Sequence, residues 1–347
     1  MTRIRDDWHW QTEVLAAFAT GAAGARILNE SALARAASWL SQSVPVVIPT
    51  ETVYGLAAPA LDRAAVSAIF AIKQRPLDNP LIVHIAAAEQ LAELGVTFSP
   101  LAAQLAAAFW PGPLTLVLPT EADLPWVTAG LDSIAVRVPQ HPIALSLLNR
   151  FGRPVVAPSA NRSGHVSPTT AQHVMDDLGG RIDFIVDGGP TTVGVESTIV
   201  GCLDRPVLLR PGGLPRERIE AVLGEALQDV PAGSVDPDAP IAPGMIESHY
   251  APRAQLRLQV DRVNPGEALL DFGARMPPGI EQAALVLNLS PGGDLVEAAS
   301  NLFSDLRTLD QADVTTIAVM RVPDEGLGEA INDRLARAAA PRETPVP

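Results

Sequence analysis

The feature of this sequence that most limits its fold is a regular alternation of short apolar runs with helical patterns, which continues to about residue 225. A helical pattern at residues 31–43 precedes an apolar run at 44–48, and Asp62 is placed to cap a second helix that must end before Pro76. Further apolar runs predict strands at residues 81–85, 114–118, 134–138, 155–157, 182–186, 198–201 and 207–209. This rhythm predicts an α/β fold in which helices flank one mixed sheet.

A second domain is predicted after a segment rich in proline and glycine at residues 228–243. Beyond that segment, three apolar runs and two helical patterns predict a smaller α/β unit, and 347 residues exceed the size at which one hydrophobic core stops growing. The predicted division is an N-terminal extension (1–30), a first domain (31–225), a linker (226–252), a second domain (253–340) and a tail (341–347).

The charge and cysteine content exclude several classes of protein. Lys and Arg number 25 against 39 Asp and Glu, a formal net charge of −14, which argues against a broad basic face for nucleic acid. The single Cys202 cannot form an internal disulfide. The longest uncharged run, residues 94–120, is interrupted by prolines and does not read as a membrane span. We therefore expect a cytoplasmic protein without a membrane partner.

Lys73 is the only lysine in the chain, since every other basic residue is arginine. It lies near the predicted end of the second helix, and Arg75 follows it in a short segment stiffened by Pro76 and Pro80. An ammonium is a compact point charge that the flat guanidinium fork does not replace at a phosphate. We therefore interpret this segment as an anion site, although a single lysine on a helix face is also consistent with an accidental surface position.

Polar segments follow several of the predicted strands, at the position where α/β sheets usually bind ligands. Arg137 lies between valines in a predicted buried strand, so it needs either an internal carboxylate or an anionic ligand. Tyr54 and Tyr250 are each consistent with ligand binding or with simple packing of a satisfied hydroxyl. The sequence has no P-loop, no dinucleotide fingerprint and no paired Cys/His spacing, so neither of those nucleotide sites nor structural zinc is expected.

Eight motifs follow one another along the chain: PTETVYGL at 49–56, KQRPLDNPLIVHI at 73–85, WPGPLTLVLP at 110–119, AVRVP at 135–139, APSANRSG at 157–164, GVEST at 194–198, LRPGG at 209–213 and PGMIESHYAPRA at 243–254. Together they resemble the Sua5/YrdC family of threonylcarbamoyl-AMP synthases. The resemblance is dense over residues 30–254, and the part after the linker is similar to the family's smaller Sua5-type domain. It implies a YrdC-like mixed twisted sheet with flanking helices, plus a smaller Rossmann-like α/β Sua5 domain.

The activity that this resemblance implies is that of an L-threonylcarbamoyladenylate synthase, a nucleotidyltransferase. Such an enzyme forms threonylcarbamoyl-AMP and pyrophosphate from L-threonine, bicarbonate and ATP, for the t6A37 modification of tRNA. Mg²⁺ is expected on the ATP phosphates, with no metal-binding protein residues assigned. The implied partner is a downstream threonylcarbamoyl transferase complex, with no stable nucleic-acid binding by this chain.

The resemblance also implies the roles of individual residues, in three groups. The implied catalytic residues, which stabilise charge rather than attack the substrate, are Lys73, Arg75, Ser159 and Asn161. The implied threonine-binding residues are Thr52, His84, Arg137, Ala157 and Ser197. The implied ATP-binding residues are Arg75, Asn79, Ser133, Ser159, Ser167, Arg210 and Tyr250. Because Tyr250 follows the linker, we expect residues 243–252 to fold over the nucleotide as a lid.

Two other functions remain open on the sequence alone. The first is an RNA-binding module, which the net charge of −14 disfavours. The second is a carbamoyl-handling domain like those of hydrogenase maturation proteins, which share the core fold but are expected to carry long accessory regions. Analysis of the products formed from ATP, threonine and bicarbonate distinguishes both from the synthase.

Overall fold

The computed structural model describes residues 11–20, 26–231 and 250–341, and these form two α/β domains. Residues 1–10 and 21–25, most of the predicted linker with residues 243–249 of the predicted lid, and the tail after residue 341 lie outside the described residues. The strands of the first domain are β1 (Glu13–Ala16), β2 (Phe18–Thr20), β3 (Arg26–Leu28), β4 (Val46–Ile48), β5 (Gly55–Pro59), β6 (Ile82–His84), β7 (Leu114–Pro119), β8 (Ser133–Arg137), β9 (Val155–Val156), β10 (Phe184–Asp187), β11 (Thr198–Cys202), β12 (Pro206–Arg210) and β13 (Gln228–Asp229).

Eleven of these strands form one mixed sheet, as the alternating pattern predicts. Its order is β1-β10-β4-β5-β9-β6-β8-β7-β11-β12-β13, and β2 pairs with β3 in a separate hairpin. The helices that flank it are α1 (Glu30–Ser41), α2 (Arg63–Lys73), α3 (Pro100–Phe109), α4 (Pro125–Thr128), α5 (Pro142–Phe151), α6 (Ala171–Leu178) and α7 (Arg216–Leu223). The prediction of a mixed sheet with flanking helices is therefore confirmed.

Helix α2 delivers Lys73 to the site, and local chemistry sets both of its ends. The Asp62 carboxylate accepts hydrogen bonds from the backbone N–H groups of Ala64 and Ala65, which is the predicted N-cap. At the other end, Gln74 adopts a left-handed conformation with φ of 52°. This cap ends the helix and leaves Lys73 buried at its last position.

The register of the sheet brings several predicted site residues to one region. Strands β6 and β8 run parallel, with His84 paired to Arg137, so both side chains lie at the carboxyl ends of their strands. Strand β7 runs antiparallel to β8 and parallel to β11, which places Ser197, just before β11, near the same end. Because side chains alternate along a strand, Ser133 and Arg137 share one face of the sheet.

The second domain is a four-stranded parallel sheet with two helices. Its strands are β14 (Gln255–Arg257), β15 (Ala268–Asp271), β16 (Leu285–Asn288) and β17 (Thr316–Val319), in the order β14-β17-β15-β16, and its helices are α8 (Leu295–Gln311) and α9 (Leu327–Ala339). Its core contains Leu302 and Phe303 of α8 together with Val166 and Val195 of the first domain. The two domains therefore share one buried apolar cluster.

The structure differs from the sequence prediction at both edges of the large sheet. Strand β1, in the segment assigned to an N-terminal extension, pairs with β10. Strand β13, in the segment assigned to the linker, pairs with β12. Strand β5 was not predicted, because Gly, Ala and Pro favour strands poorly, and it forms because β4 and β9 flank it on both sides.

Gly194 allows the domains to approach, and it generates a stability prediction. A Cβ at this position would lie 2.3 Å from the backbone oxygen of Ala299 in α8, and Gly194 also has a φ of +81°. Gly152 has a similar φ of +75° but open space around a Cβ. We expect Gly152→Ala to lower the free energy of unfolding by about 1–2 kcal/mol and Gly194→Ala to lower it by at least about 2 kcal/mol more.

Urea unfolding of both variants and of the unchanged protein measures this difference. Equal losses for the two variants would show that the contact with α8 relaxes without cost and would contradict the prediction.

Candidate active site

A cavity of about 60 Å³ lies between the loops after β4 and β9, the segments before β6 and β11, and the carboxyl ends of β6, β8 and β12. Tyr250 contributes to its wall. Nine of the predicted site residues line it: Thr52, Arg75, His84, Arg137, Ala157, Ser159, Ser197, Arg210 and Tyr250. The other wall residues include Thr50, Glu196 and several apolar or backbone groups. The structure therefore brings most of the predicted residues together and leaves five away from the cavity wall: Lys73, Asn79, Ser133, Asn161 and Ser167.

Arg137 is held at one end of the cavity by three contacts. Its Nε donates to the backbone oxygen of Gly112 at 3.1 Å and its Nη1 donates to the hydroxyl of Thr52 at 2.8 Å. Its Nη2 forms a buried ion pair with Glu51 at 2.5 Å, but this contact lacks hydrogen-bond geometry. The internal carboxylate that Arg137 needed is thus Glu51, a residue that the sequence reasoning missed although it lies beside Thr52 in the motif.

His84 lies beside Arg137 as a neutral ring. It is buried, and its Nδ1 lies 3.3 Å from the backbone oxygen of Ile82. Burial, and then the positive charge of Arg137, lower the pKa of His84 from its usual 6.5 to about 3. At neutral pH this imidazole is therefore uncharged, and with Nδ1–H donating to Ile82 its Nε2 is left as a hydrogen-bond acceptor.

Arg75 presents an unused hydrogen-bond donor at another part of the wall. Its Nη2 donates to the side-chain oxygen of Asn79 at 2.5 Å and to the backbone oxygen of Pro80 at 3.0 Å. Its Nε is buried without a hydrogen-bond partner. Burial lowers the pKa of Arg75 to about 10, with Tyr250 opposing this and Arg210 adding to it. Asn79 therefore positions the guanidinium, and the buried Nε is suited to an anion.

The positive charge of Arg210 contributes to the lowered pKa of Arg75, and Ser197 fixes the Arg210 guanidinium in place. Its Nε and Nη2 donate to the backbone oxygen of Ser197 at 3.2 and 2.8 Å, and Nη2 also lies 3.3 Å from the Ser197 hydroxyl. The Ser197 hydroxyl in turn hydrogen bonds that of Thr115 at 2.8 Å. One serine therefore couples the guanidinium at the end of β12 to the start of β11.

Lys73 and Asn161 hold the loop after β9 from behind rather than line the cavity. The Lys73 ammonium donates to the backbone oxygens of Ser159 and Asn161, both at 2.5 Å, and is buried. The Asn161 amide donates to the backbone oxygens of Arg162 and His165, each at 2.8 Å. Burial, followed by the charge of Arg75, lowers the pKa of Lys73 well below its usual value, while Asp177 opposes this shift. Two of the three ammonium donors are thus committed to the loop.

Ser167 and Ser133 occupy two further positions outside the cavity. The Ser167 hydroxyl is buried and donates to the carboxylate of Glu196 at 2.5 Å. Glu196 lines the cavity, so Ser167 lies directly behind a wall residue. Ser133 begins β8 and lines a separate apolar pocket with Val117 and Leu209. The separation along the strand from Ser133 to Arg137 is about 13 Å, four residues at roughly 3.3 Å each.

The remaining sequence candidates have structural explanations. The Tyr54 hydroxyl donates to the backbone oxygen of Gly189 at 2.7 Å and accepts from the N–H of Gly188, so Tyr54 is a packed residue with a satisfied hydroxyl.

Among the described residues there is no group of three or more His, Cys, Asp or Glu side chains that could hold a metal ion. Nor does any helix in that part of the chain have the length and apolarity to cross a membrane.

Comparison with known proteins identifies the family of this chain. The family model described as "Telomere recombination" matches residues 38–212, and the one described as "Threonylcarbamoyl-AMP synthase, C-terminal domain" matches residues 214–340. A threonylcarbamoyl-AMP synthase of Bacillus subtilis is 44% identical over 328 residues, which cover 90% of this chain and 94% of the relative. The chain belongs to the Sua5/YrdC family.

A relative from Pyrococcus abyssi has the same identity to this chain as the B. subtilis protein. The Pyrococcus abyssi threonylcarbamoyl-AMP synthase is 44% identical over 318 residues, covering 88% of this chain and 94% of that protein. The crystal structure of P. abyssi Sua5 complexed with L-threonine superposes with a TM-score of 0.84 at 41% identity, over 94% of this chain and 98% of that one. This Sua5/YrdC member therefore shares both domains with the B. subtilis and P. abyssi proteins.

The neutral His84 generates a prediction about pH. Its folded pKa of about 3 lies below the usual 6.5, so the unfolded chain binds more protons and stability falls as pH decreases below 6.5. Between pH 6.5 and 4, we expect the free energy of unfolding of the unchanged protein to fall by about 2–3 kcal/mol more than that of His84→Gln. Urea unfolding at several pH values measures this, and parallel pH profiles for the two proteins would refute it.

Proposed function

We propose that this protein is a threonylcarbamoyl-AMP synthase that forms its product and pyrophosphate from L-threonine, bicarbonate and ATP. The observation that carries the proposal is the convergence of Arg75, Arg137 and Arg210 on one cavity, in a Sua5/YrdC member whose net charge is −14. Three substrates that all carry negative charge require such a concentration of cations. The reaction class is nucleotidyl transfer.

The proposed threonine site is the end of the cavity that contains Arg137. Its Nη2 makes an ion pair with Glu51 but no hydrogen bond, so it can donate to the threonine carboxylate. The hydroxyl groups of Thr52 and Ser197 and the neutral His84 offer hydrogen bonds to the rest of the amino acid, and the Ala157 backbone completes that wall. The assignment follows the roles that the resemblance implies, and the P. abyssi protein, which is 41% identical to this chain, has been crystallised with L-threonine.

The proposed ATP site begins at Arg75, Ser159 and Arg210, which would bind the phosphates. From there one face of the sheet leads to the apolar pocket that contains Ser133, along Ile82, Ala135 and Val117. In this proposal an extended nucleotide with its phosphates at the arginines lies along this face towards Ser133. Asn79 and Ser167 act indirectly in this proposal, by fixing Arg75 and Glu196.

The proposed chemistry needs positioning and charge stabilisation rather than a protein nucleophile. The threonine amine adds to bicarbonate and water leaves, which gives a carbamate. A carbamate oxygen then attacks the α-phosphorus of ATP, the bond to the β-phosphate breaks, and pyrophosphate leaves with the electron pair. Each charge-assisted hydrogen bond from the arginines contributes about 1.5–3 kcal/mol against the repulsion between these anions. A site with little water also protects the unstable carbamate.

Mg²⁺ enters this proposal with ATP rather than as a resident metal. Glu51 and Glu196 are the carboxylates nearest the proposed substrates, and each is paired with an arginine. The ion would therefore be held by phosphate oxygens and water, a common arrangement for magnesium nucleotides, and would neutralise charge on the phosphates. Within the described residues no carboxylate cage competes with this arrangement.

Tyr250 is the proposed lid residue. The cavity of about 60 Å³ holds only a few water molecules, so ATP can enter only if part of the wall moves. Tyr250 is a wall residue with a left-handed backbone, φ of 62°, and its ring stacks on Phe303 of α8 at 5.6 Å. Movement of this residue would open the nucleotide end, and its return would exclude water from the reaction.

The product would supply the t6A37 modification of tRNA through a downstream threonylcarbamoyl transferase complex. The net charge of −14 favours a reaction on small molecules over stable binding of tRNA to this chain. A cytoplasmic location is part of the same proposal and is consistent with the single buried Cys202.

Pyrophosphate release tests the proposed function directly. We expect the purified protein to release pyrophosphate from ATP only when threonine, bicarbonate and Mg²⁺ are all present, and to do so without tRNA. Serine in place of threonine, and a reaction depleted of bicarbonate, are the controls, and mass spectrometry identifies the adenylate. Release that does not depend on threonine, or that requires tRNA, would refute the proposal.

Lys73 provides a second test, because it holds the loop that carries Ser159. We expect Lys73→Met and Lys73→Arg each to reduce kcat at least about 100-fold, since methionine removes the charge and the arginine fork cannot reach the same two carbonyls. Loss of the two buried hydrogen bonds should also lower the free energy of unfolding by about 1–3 kcal/mol in Lys73→Met.

Arg63→Met, at the exposed start of the same helix, is the matched control and should keep normal turnover. Substantial synthesis by Lys73→Arg would show that a positive charge alone is sufficient at this position.

A further inference from the structure

Arg334 is a fully buried arginine of the second domain whose side chain contacts residues at and next to the wall of the cavity. It lies on α9, and its side chain has a relative exposure of 0%. Its Nε donates to Glu196 Oε2 at 2.7 Å, its Nη1 to Asp333 at 2.5 Å and its Nη2 to the backbone oxygen of Pro211 at 3.0 Å. Two of these three acceptors belong to the first domain, so one side chain connects the two domains next to the site.

The acceptors of Arg334 flank the residues that hold the proposed phosphate site. Glu196 directly precedes Ser197, and Pro211 directly follows Arg210. Ser197 is the residue that receives the hydrogen bonds of Arg210, so Arg334 contacts both chain segments that fix this guanidinium. The two segments are also joined by a backbone hydrogen bond of 2.8 Å from Gly213 to Glu196. A displacement of Arg334 would therefore be transmitted to Arg210.

Arg334 also contacts the proposed lid. Its guanidinium lies 5.1 Å from the ring centroid of Tyr250, within the range of a cation–π interaction. On the same ring, Phe303 stacks at 5.6 Å with an interplanar angle of 24°. The Tyr250 ring is thus held by two side chains of the second domain while it forms part of the cavity wall.

The charge of Glu196 makes its pairing important for the nucleotide. Glu196 lines the cavity with Arg210, and although burial raises its pKa, the charges of Arg334 and Arg210 and the Ser167 hydroxyl bring that pKa below the usual value. It is therefore an anion at neutral pH. Without Arg334, this carboxylate would repel a phosphate and would compete for the guanidinium of Arg210.

We propose that Arg334 is a positioning residue for the nucleotide end of the active site, acting through Glu196, Pro211 and Tyr250 without touching the substrate. The proposal rests on the proposed function, because it assumes that Arg210 and Tyr250 meet ATP. It follows that the phosphate-binding half of the site is complete only when α9 of the second domain is docked. Arg137, the anchor of the proposed threonine end, is held by Gly112, Thr52 and Glu51, which lie outside the two segments that Arg334 binds. We therefore expect threonine binding to depend on Arg334 much less than ATP binding does.

Arg334→Lys tests the proposal by separating the two substrates. Lysine keeps the charge but cannot donate in three fixed directions at once. We expect the KM for ATP to rise at least about 10-fold, with threonine affinity within about 2-fold of normal by calorimetry. Arg337→Lys is the matched control, because Arg337 lies one turn further along α9 and also pairs with Asp333, and both of its constants should stay normal.

A double variant separates positioning from simple neutralisation of a buried charge. Glu196→Gln with Arg334→Gln leaves no buried charge unpaired between these residues, so it should fold even if Arg334→Lys does not. If Arg334 only neutralises Glu196, the double variant restores a normal KM for ATP, and the proposal is overturned. If Arg334 positions Pro211 and Tyr250, the KM for ATP remains raised at least about 10-fold, and threonine binding is unchanged.

The unchanged protein is assayed first, so that the two proposals can fail separately. If it makes no threonylcarbamoyl-AMP, the proposed function is wrong. If it is active and Arg334→Lys folds with a normal KM for ATP, or if the affinities for both substrates fall together, the function stands and the role of Arg334 is wrong.

Discussion

The burial of several cationic side chains around one small cavity is the constraint on which the structure of this site depends. A guanidinium removed from water needs hydrogen bonds or a counter-charge, yet a cation that is fully satisfied by the protein has little left for a substrate. Arg75 and Arg137 meet both demands. Each has some donors fixed by neighbouring oxygens and one nitrogen, Nε of Arg75 and Nη2 of Arg137, buried without a hydrogen bond. The protein thus fixes both side chains in place while each retains one nitrogen without a hydrogen bond.

The second domain takes part in the same balance. Its apolar core includes Val166 and Val195 of the first domain, and its polar contacts reach further into the site. Arg307 of α8 donates to the backbone oxygen of Val166 and to Asp177 at 3.1 Å. Arg307 and Arg334 of the second domain therefore bind the segments that follow β9 and precede β11, respectively. Loop positions that hydrophobic contact alone would leave adjustable are fixed by directional bonds.

The sequence was sufficient to predict the fold class and most of the cavity wall, because both depend on local patterns. Apolar runs located β6 and β8, and a charge between valines identified Arg137. Other features depended on tertiary contacts. The hydrogen bonds of the Lys73 ammonium to two backbone oxygens were not predicted, because the sequence does not reveal which backbone groups approach a side chain. Glu51 was missed because nothing in its neighbours reveals its pairing with Arg137.

The position of Lys73 changes how its single occurrence in the chain can be explained. An ammonium can place two donors on carbonyls that converge within one short loop. A guanidinium spreads the same charge over a plane too wide for that convergence. The exclusion of arginine therefore follows from the shape of the loop between Ser159 and Asn161 as well as from the chemistry of a phosphate. In an otherwise lysine-free chain, the loop geometry is a sufficient reason for lysine to be kept at this one position.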